Sequence, residues 1–293
     1  MNDWGIVVDS ACGKTKKWIE DNGWYFVPYK IFYDNKEYDD GINIETKEIK
    51  LKIDKGTIGK TSVPSVETIK EKYREGLLNN KKLIVLSLSE KVSGMNNAFR
   101  LAAEEDEFKG KIKVVKSKLF TPWMTQILEI VSKYKKNNMS FDKVLKWIEK
   151  ANKHTSGIMI LKDLKFLGSS GRVSSSQARL GSIVGIKPTL SWIDGSIDKD
   201  SSIKARNYKK AVVRGLEIIK SYIESNKIDT SKYAIGLAYN QVDEDRKKTV
   251  QLIKDNINDI DVIDYKNFEM LGVSMVHIGY DITGFGLFLK EEK

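Results

Sequence analysis

Short apolar runs alternate with stretches of helical period along the first half of the chain. Gly5-Ile-Val-Val-Asp9 reads as a buried strand, Lys14 to Asp21 as a helix, and Trp24 to Tyr33 as a second apolar run, which together predict a βαβ opening. Leu83-Ile-Val-Leu-Ser87 and Ile112-Lys-Val-Val115 are two further strands with a helical segment, Asn96 to Glu107, between them. Strands separated by helices imply an open parallel sheet. Tyr38 to Thr57 is charged and lacks a clear period, so an inserted subregion near 38–60 is expected before a helix starting near Val66. After Pro122 the spacing of Trp123, Ile127, Ile130, Val131 and Tyr134 predicts one helix, and Phe141 to Lys153 a second.

The polar, aperiodic stretch from Lys150 to Ser156 is read as a domain boundary, giving domains 1–155 and 156–293. Strand-like runs then follow at Gly157 to Ile160, Pro188 to Ile193, Tyr233 to Tyr239, Ile260 to Asp264, Val273 to Ile278 and Leu287 to Leu289. Val212, Gly215, Leu216, Ile219 and Ile223 mark a long amphipathic helix, and Asp194-Gly195 marks a hairpin turn. The fold class is therefore α/β: an N-terminal open parallel sheet, then an α+β domain with a mixed or antiparallel sheet. The chain has no internal repeat.

With 293 residues, 41% of them hydrophobic, the chain has the apolar material for two cores. No run approaches the roughly 20 apolar residues of a membrane span, and Met1 to Asp9 lacks the layout of a signal peptide, so a soluble, cytoplasmic protein is expected. The net charge of +10 raises nucleic acid as a partner, but only 7 of the 50 basic residues are arginine and 40 acids are interspersed. The expectation is a lysine-rich solvated surface, with Lys135-Lys136 and Lys209-Lys210 facing water from amphipathic helices, and no nucleic-acid partner. Cys12 has no intrachain disulfide partner, and with only His154 and His277 beside it no metal site is expected.

Three segments rich in small polar residues lie where strands should end and helices begin: Thr61-Ser-Val-Pro-Ser65, Ser87 through Met95, and Gly168 through Ser176. Hydroxyls and free backbone N–H groups at a helix start can hold a carboxylate or phosphate without a fixed cation. The plainer alternative is that Ser65, Ser93 and Ser174 cap helices. His277 is expected at the end of an apolar strand, just before a glycine-rich turn. Asp39 and Asp40 read as solvated neighbours. No nucleophile elbow, phosphate-binding Gly-Lys-Ser/Thr loop or dinucleotide fingerprint is present. These residues leave an anion-binding carrier and a phosphate- or ester-processing enzyme both open.

Taken in order, Val8-Asp-Ser10, Val27-Pro28, Thr61-Ser-Val-Pro-Ser65, Val92-Ser-Gly-Met95, Leu167 through Arg172, Lys187-Pro188, Lys204-Ala-Arg206 and His277 through Gly286 resemble the DegV family over nearly the whole chain. The resemblance implies a bacterial two-domain fatty-acid-binding protein, a carrier and no enzyme, holding an acyl chain such as palmitate, stearate or oleate with its carboxylate at the interdomain cleft. It implies carboxylate contacts from Thr61, Ser62, Ser93 and His277, with Arg172, Arg206, Gly94 and Gly279 at the headgroup or a partner surface. It further implies a monomer, transient membrane contact, and presentation of the acid to a separate fatty acid kinase. The sequence departs from the family pattern at Ala11-Cys12-Gly13, Met95, Ser170, Lys116 and Ile278 to Gly286.

Overall fold

The computed structural model describes residues 2–162, 164–172, 187–198, 203–205, 207–239, 243–257, 259–264 and 270–292. The chain divides into two compact units, Met1–Lys153 with Glu269–Val276, and His154–Phe268 with His277–Lys293. Arg206 and Ser174, both singled out in the sequence, lie outside the described residues. No helix among those described is long and apolar enough to cross a membrane.

The first unit is built on a parallel sheet. Strands β1 (Asn2–Asp9) and β2 (Tyr25–Val27) form the expected βαβ opening around the helix Lys16–Asp21, whose first turn is capped by Thr15 Oγ1 accepting Trp18 N. The apolar run does not continue as one strand. Pro28 lacks an N–H, and after it β3 (Lys30–Tyr33) pairs elsewhere, with β4 (Lys36–Asp39) and β5 (Lys60–Ser62) in a small antiparallel sheet. Asp34 and Asn35, at φ 51° and 61°, make the two-residue turn of the β3–β4 hairpin. The charged segment near 38–60 thus has more order than its lack of period suggests, with a helix at Thr46–Asp54.

Strands β6 (Asn80–Leu86) and β7 (Ile112–Val114) complete the main sheet in the order β2-β1-β6-β7, all parallel. Trp4 to Asp9 are all buried, as expected of a strand covered on both faces. The helices Val66–Asn79 and Met95–Ala103 carry Tyr73 and Phe99 into this core. Tyr73 stacks on Phe99 at 6.3 Å, meets Phe108 edge-on at 5.4 Å, and donates its hydroxyl to Phe99 O at 2.9 Å. Burial of the Tyr73 ring therefore leaves no unpaired donor.

The helices expected after Pro122 form at Thr121–Lys136 and Phe141–Lys153. Lys136 is exposed, but Lys135 corrects the expectation that both lysines of the pair face water. It is half-buried, donates to Trp4 O, and places Nζ 4.4 Å from the centre of the Trp4 ring. Desolvation lowers its pKa below the ordinary value.

The second unit holds a mixed sheet. Its strands are β8 (Ser156–Leu161), β9 (Lys187–Ile193), β10 (Ser196–Ile197), β11 (Ile203–Ala205), β12 (Tyr233–Tyr239), β13 (Asp261–Asp264) and β14 (Ile282–Leu289). They run in the order β10-β9-β8-β14-β12-β13, with β11 also on β9, and β12–β13 is the parallel pair. Asp194 and Gly195, at φ 47° and 90°, form the expected hairpin turn. The long helix Tyr208–Ser225 packs so closely through Gly215 that an added Cβ would stand 2.7 Å from Ile158 and 2.9 Å from Phe285.

Two expectations for the C-terminal part are corrected. Val273 to Ile278 belong to a helix, Gly272–Ile278, rather than a strand. Their run is apolar with almost every position buried, and a short run of that kind carries no period to separate the two structures. Beyond it the glycines of Thr283 to Gly286 lie inside β14, not in a turn. The turn itself is at Gly279, with φ 75°.

Candidate anion-binding site

Two of the three small-residue segments stand where they were expected. Thr61 and Ser62 lie on β5 and run through Pro64 into the helix at Val66, which Ser65 caps by accepting Thr68 N at 3.1 Å. Ser87 to Gly94 join β6 to the helix at Met95. The segments are neighbours, since a Cβ added to Gly94 would lie 3.9 Å from Val63 Cγ1. Thr61 and Ser93 are half-buried, whereas Ser62 is exposed. Gly94 is the N-cap residue of the Met95–Ala103 helix, without a side chain to close off its first N–H groups.

Of the third segment only Gly168 to Arg172 are described, so its expected run into a helix lies outside the described residues. Gly168 and Ser169 end the short helix Lys165–Ser169 rather than begin one, and Ser169 and Ser170 turn their hydroxyls back onto the carbonyls of Phe166 and Leu167. These hydroxyls are occupied by the helix end. Arg172 is exposed and bonds Ser170 O. His277, in the last turn of Gly272–Ile278, is half-buried, and burial together with the nearby Arg172 charge lowers its pKa to about 4. At neutral pH its ring is uncharged. Gly279 follows at the positive φ given above.

The chemistry of the first unit centres on residues the sequence did not mark as a cluster. Asp9, at the end of β1, is fully buried; its Oδ1 accepts Ala11 N and its Oδ2 accepts Leu88 N, each at 2.9 Å. Ser10 Oγ accepts Tyr29 N at 3.1 Å and donates to Asp40 Oδ2 at 2.7 Å. Asp40 is therefore not solvated: it is 1% exposed and also accepts the N–H of Val273 at 3.0 Å. The Tyr29 hydroxyl lies 2.5 Å from Ser93 Oγ. Ser93 Oγ in turn accepts Met95 N at 3.2 Å.

Burial dominates the titration of these groups. It raises Asp9 to about 7 against its two backbone donors, with the Asp40 charge adding to the rise. It raises Asp40 to about 6 against Ser10 and the N–H groups of Gly272 and Val273. Burial and the two carboxyls also push the Tyr29 phenol well above its ordinary value. The arrangement can hold a proton near neutrality and present a hydroxyl, Ser93, at a helix start. The buried Cys12 Sγ contacts Lys14 O at 3.5 Å, and burial pushes its thiol up, away from the reactive thiolate. Among the described residues no three His, Cys, Asp or Glu side chains gather to hold a metal ion.

Comparison with known proteins follows the same lines. Residues 3–290 match the family model described as an uncharacterised protein of the DegV family. A curated relative, a DegV domain-containing protein of Clostridium acetobutylicum, is 27% identical over 298 residues, all of both chains. A fatty acid (stearic acid)-binding protein from Eubacterium ventriosum matches with a TM-score of 0.80 at 23% identity, over 99% of each chain. A DegV family protein from Thermus thermophilus, described for its fatty acid binding, matches equally well at 23% identity, over 98% of this chain and all of that one. A DegV family protein from Eubacterium eligens loaded with heptadecanoic acid matches at 0.74 and 20% identity, over 98% of this chain and all of that one. At these identities the likeness to the solved structures is one of fold.

Proposed function

The chain belongs to the DegV family, and on that premise we propose that it carries a long-chain free fatty acid in the cytoplasm and presents it to a fatty acid kinase without catalysing a reaction itself. The observation that carries the reading is Ser93: a half-buried hydroxyl at the start of a helix, hydrogen-bonded with the Tyr29 hydroxyl and accepting Met95 N, next to the loop of Thr61. Such a hydroxyl at a helix start stabilises an anion. The fatty-acid ligands of the solved family members point the same way.

The energetics suit a carrier. Burying the ~14 methylenes of a sixteen-carbon acid at roughly 0.8 kcal/mol each contributes on the order of 11 kcal/mol before ordering costs. The tail supplies affinity, and the head needs only to be satisfied. Thr61 and Ser93 of the first unit meet that need, with Ser62 a lesser contributor because it is exposed. His277 belongs to the second unit and is tested on its own. No described residue acts as a base on Ser93, whose contacts are a phenol and a backbone N–H. Titration with palmitate and with its methyl ester tests the reading: the acid binds and the ester binds at least tenfold more weakly. Equal binding of both removes the carboxylate site.

A further inference from the structure

We propose that Tyr29 is a positioning residue for the carboxylate site: held in place by Ser10 and Asp40, it directs Ser93 to offer its hydrogen to the ligand and so favours an acid head over an alcohol. The inference rests on the fatty-acid reading and names what in that site selects the head group. Every group it uses belongs to the first unit.

Tyr29 lies between β2 and β3, where Pro28 interrupts the apolar run. A residue between two strands has no ladder to fix its backbone, yet the N–H and the C=O of Tyr29 are both held. Tyr29 N donates to Ser10 Oγ at 3.1 Å, and Tyr29 O accepts Asp40 N at 2.9 Å. The two partners are themselves joined, since Ser10 Oγ donates to Asp40 Oδ2 at 2.7 Å. Ser10, Asp40 and the Tyr29 backbone thus close a ring of hydrogen bonds, and all three residues are buried. With its backbone fixed and its ring packed in the apolar core, Tyr29 delivers its hydroxyl to one place, 2.5 Å from Ser93 Oγ.

Hydrogens decide what Ser93 can present. Its Oγ has one hydrogen and two lone pairs, and one lone pair is taken by Met95 N at 3.2 Å. Burial keeps the Tyr29 phenol protonated, so it too carries one hydrogen. Between the two oxygens only one hydrogen fits. If Tyr29 donates, both lone pairs of Ser93 are filled and its hydrogen turns outward; if Ser93 donates, a lone pair turns outward instead. A carboxylate only accepts and selects the first arrangement, whereas an alcohol donates and accepts and is served by either. In the first arrangement the Tyr29 bond also polarises Ser93 and strengthens the bond it gives the ligand.

Displacement of a labelled sixteen-carbon acid by palmitate and by hexadecanol tests this on the wild type, Tyr29→Phe, Ser93→Ala and the double variant. Phenylalanine keeps the ring and removes only the hydroxyl. Tyr29→Phe lowers palmitate affinity about threefold to tenfold, the range of one neutral hydrogen bond, and leaves hexadecanol affinity within about twofold. In the Ser93→Ala background the same change has no further effect on palmitate, because the group through which Tyr29 acts is gone. Ser10→Ala, which releases the Tyr29 N–H, shows the same pattern and serves if Tyr29→Phe does not fold. A loss for palmitate that persists without Ser93, an equal loss for both ligands, or no loss at all overturns the positioning role and leaves the carrier intact. A wild type that binds no palmitate overturns both.

Discussion

The carboxylate of Asp40 and the backbone N–H of Val273 lie 3.0 Å apart although 233 positions separate them. The contact fixes the first turn of Gly272–Ile278 to the first unit, and Gly272 is required beside it. A Cβ there would stand 2.3 Å from Ile49 Cδ1 and 2.5 Å from Asp40 Oδ1. Gly272→Ala therefore costs about 3 kcal/mol of unfolding free energy through overpacking. Asp40→Ala costs about 2–3 kcal/mol, because Ser10 and Val273 lose a buried acceptor. Urea unfolding of both variants checks this; wild-type midpoints in both contradict it.

Asp9 and Asp40 make stability depend on pH with a definite sign. Both carboxyls are raised in the folded chain, to about 7 and about 6, above an ordinary value of 3.8. Between these values the folded state binds more protons than the unfolded, so their contribution to stability falls as pH rises from about 4 to about 7. The urea midpoint of Asp9→Asn is accordingly less sensitive to pH than the wild type over pH 5 to 7.5. Parallel profiles would show that Asp9 ionises normally.

How much of this the sequence carried differs by element. Strand β1, the helix from Val66 and the turn at Asp194-Gly195 were legible because period and turn chemistry are local properties of the chain. Gly272–Ile278 was not, since burial on nearly every side erases the difference between strand and helix periods. Asp40 was hidden for another reason: beside Asp39, in a charged stretch, it has the neighbours of a solvated acid, and what buries it arrives from Gly272 and Val273. Lys135 is the same case, drawn in by the Trp4 ring. For the site, the segments of Thr61 and Ser93 were found from small polar residues before helices. Tyr29, whose hydroxyl meets Ser93, lay inside an apolar run and carried no signal of its own.

His277 responds in the opposite sense to the acids. Its pKa is lowered to about 4 from 6.5, so the folded state binds fewer protons and the histidine's contribution is lost as pH falls through that window. The His277 ring resonance, identified by its absence in His277→Gln, is expected to stay constant in proton NMR from pH 8 down to 5.5. A midpoint near 6.5 contradicts the burial described for it.

Ser93 and Ser62 separate the anion site from its surroundings. Ser93→Ala removes a half-buried donor toward a charged group and lowers palmitate affinity about tenfold or more, whereas exposed Ser62→Ala changes it less than threefold. Fluorescence competition with a labelled sixteen-carbon acid measures both. Equal effects, or none, would move the headgroup elsewhere.

The central claim is that this chain holds a free fatty acid. Denaturing extraction of the protein purified from a bacterial host, followed by mass spectrometry of the released lipid, tests it most directly. The account predicts close to one free fatty acid per chain, unesterified. A protein that releases no lipid, and then takes up no added palmitate, contradicts it.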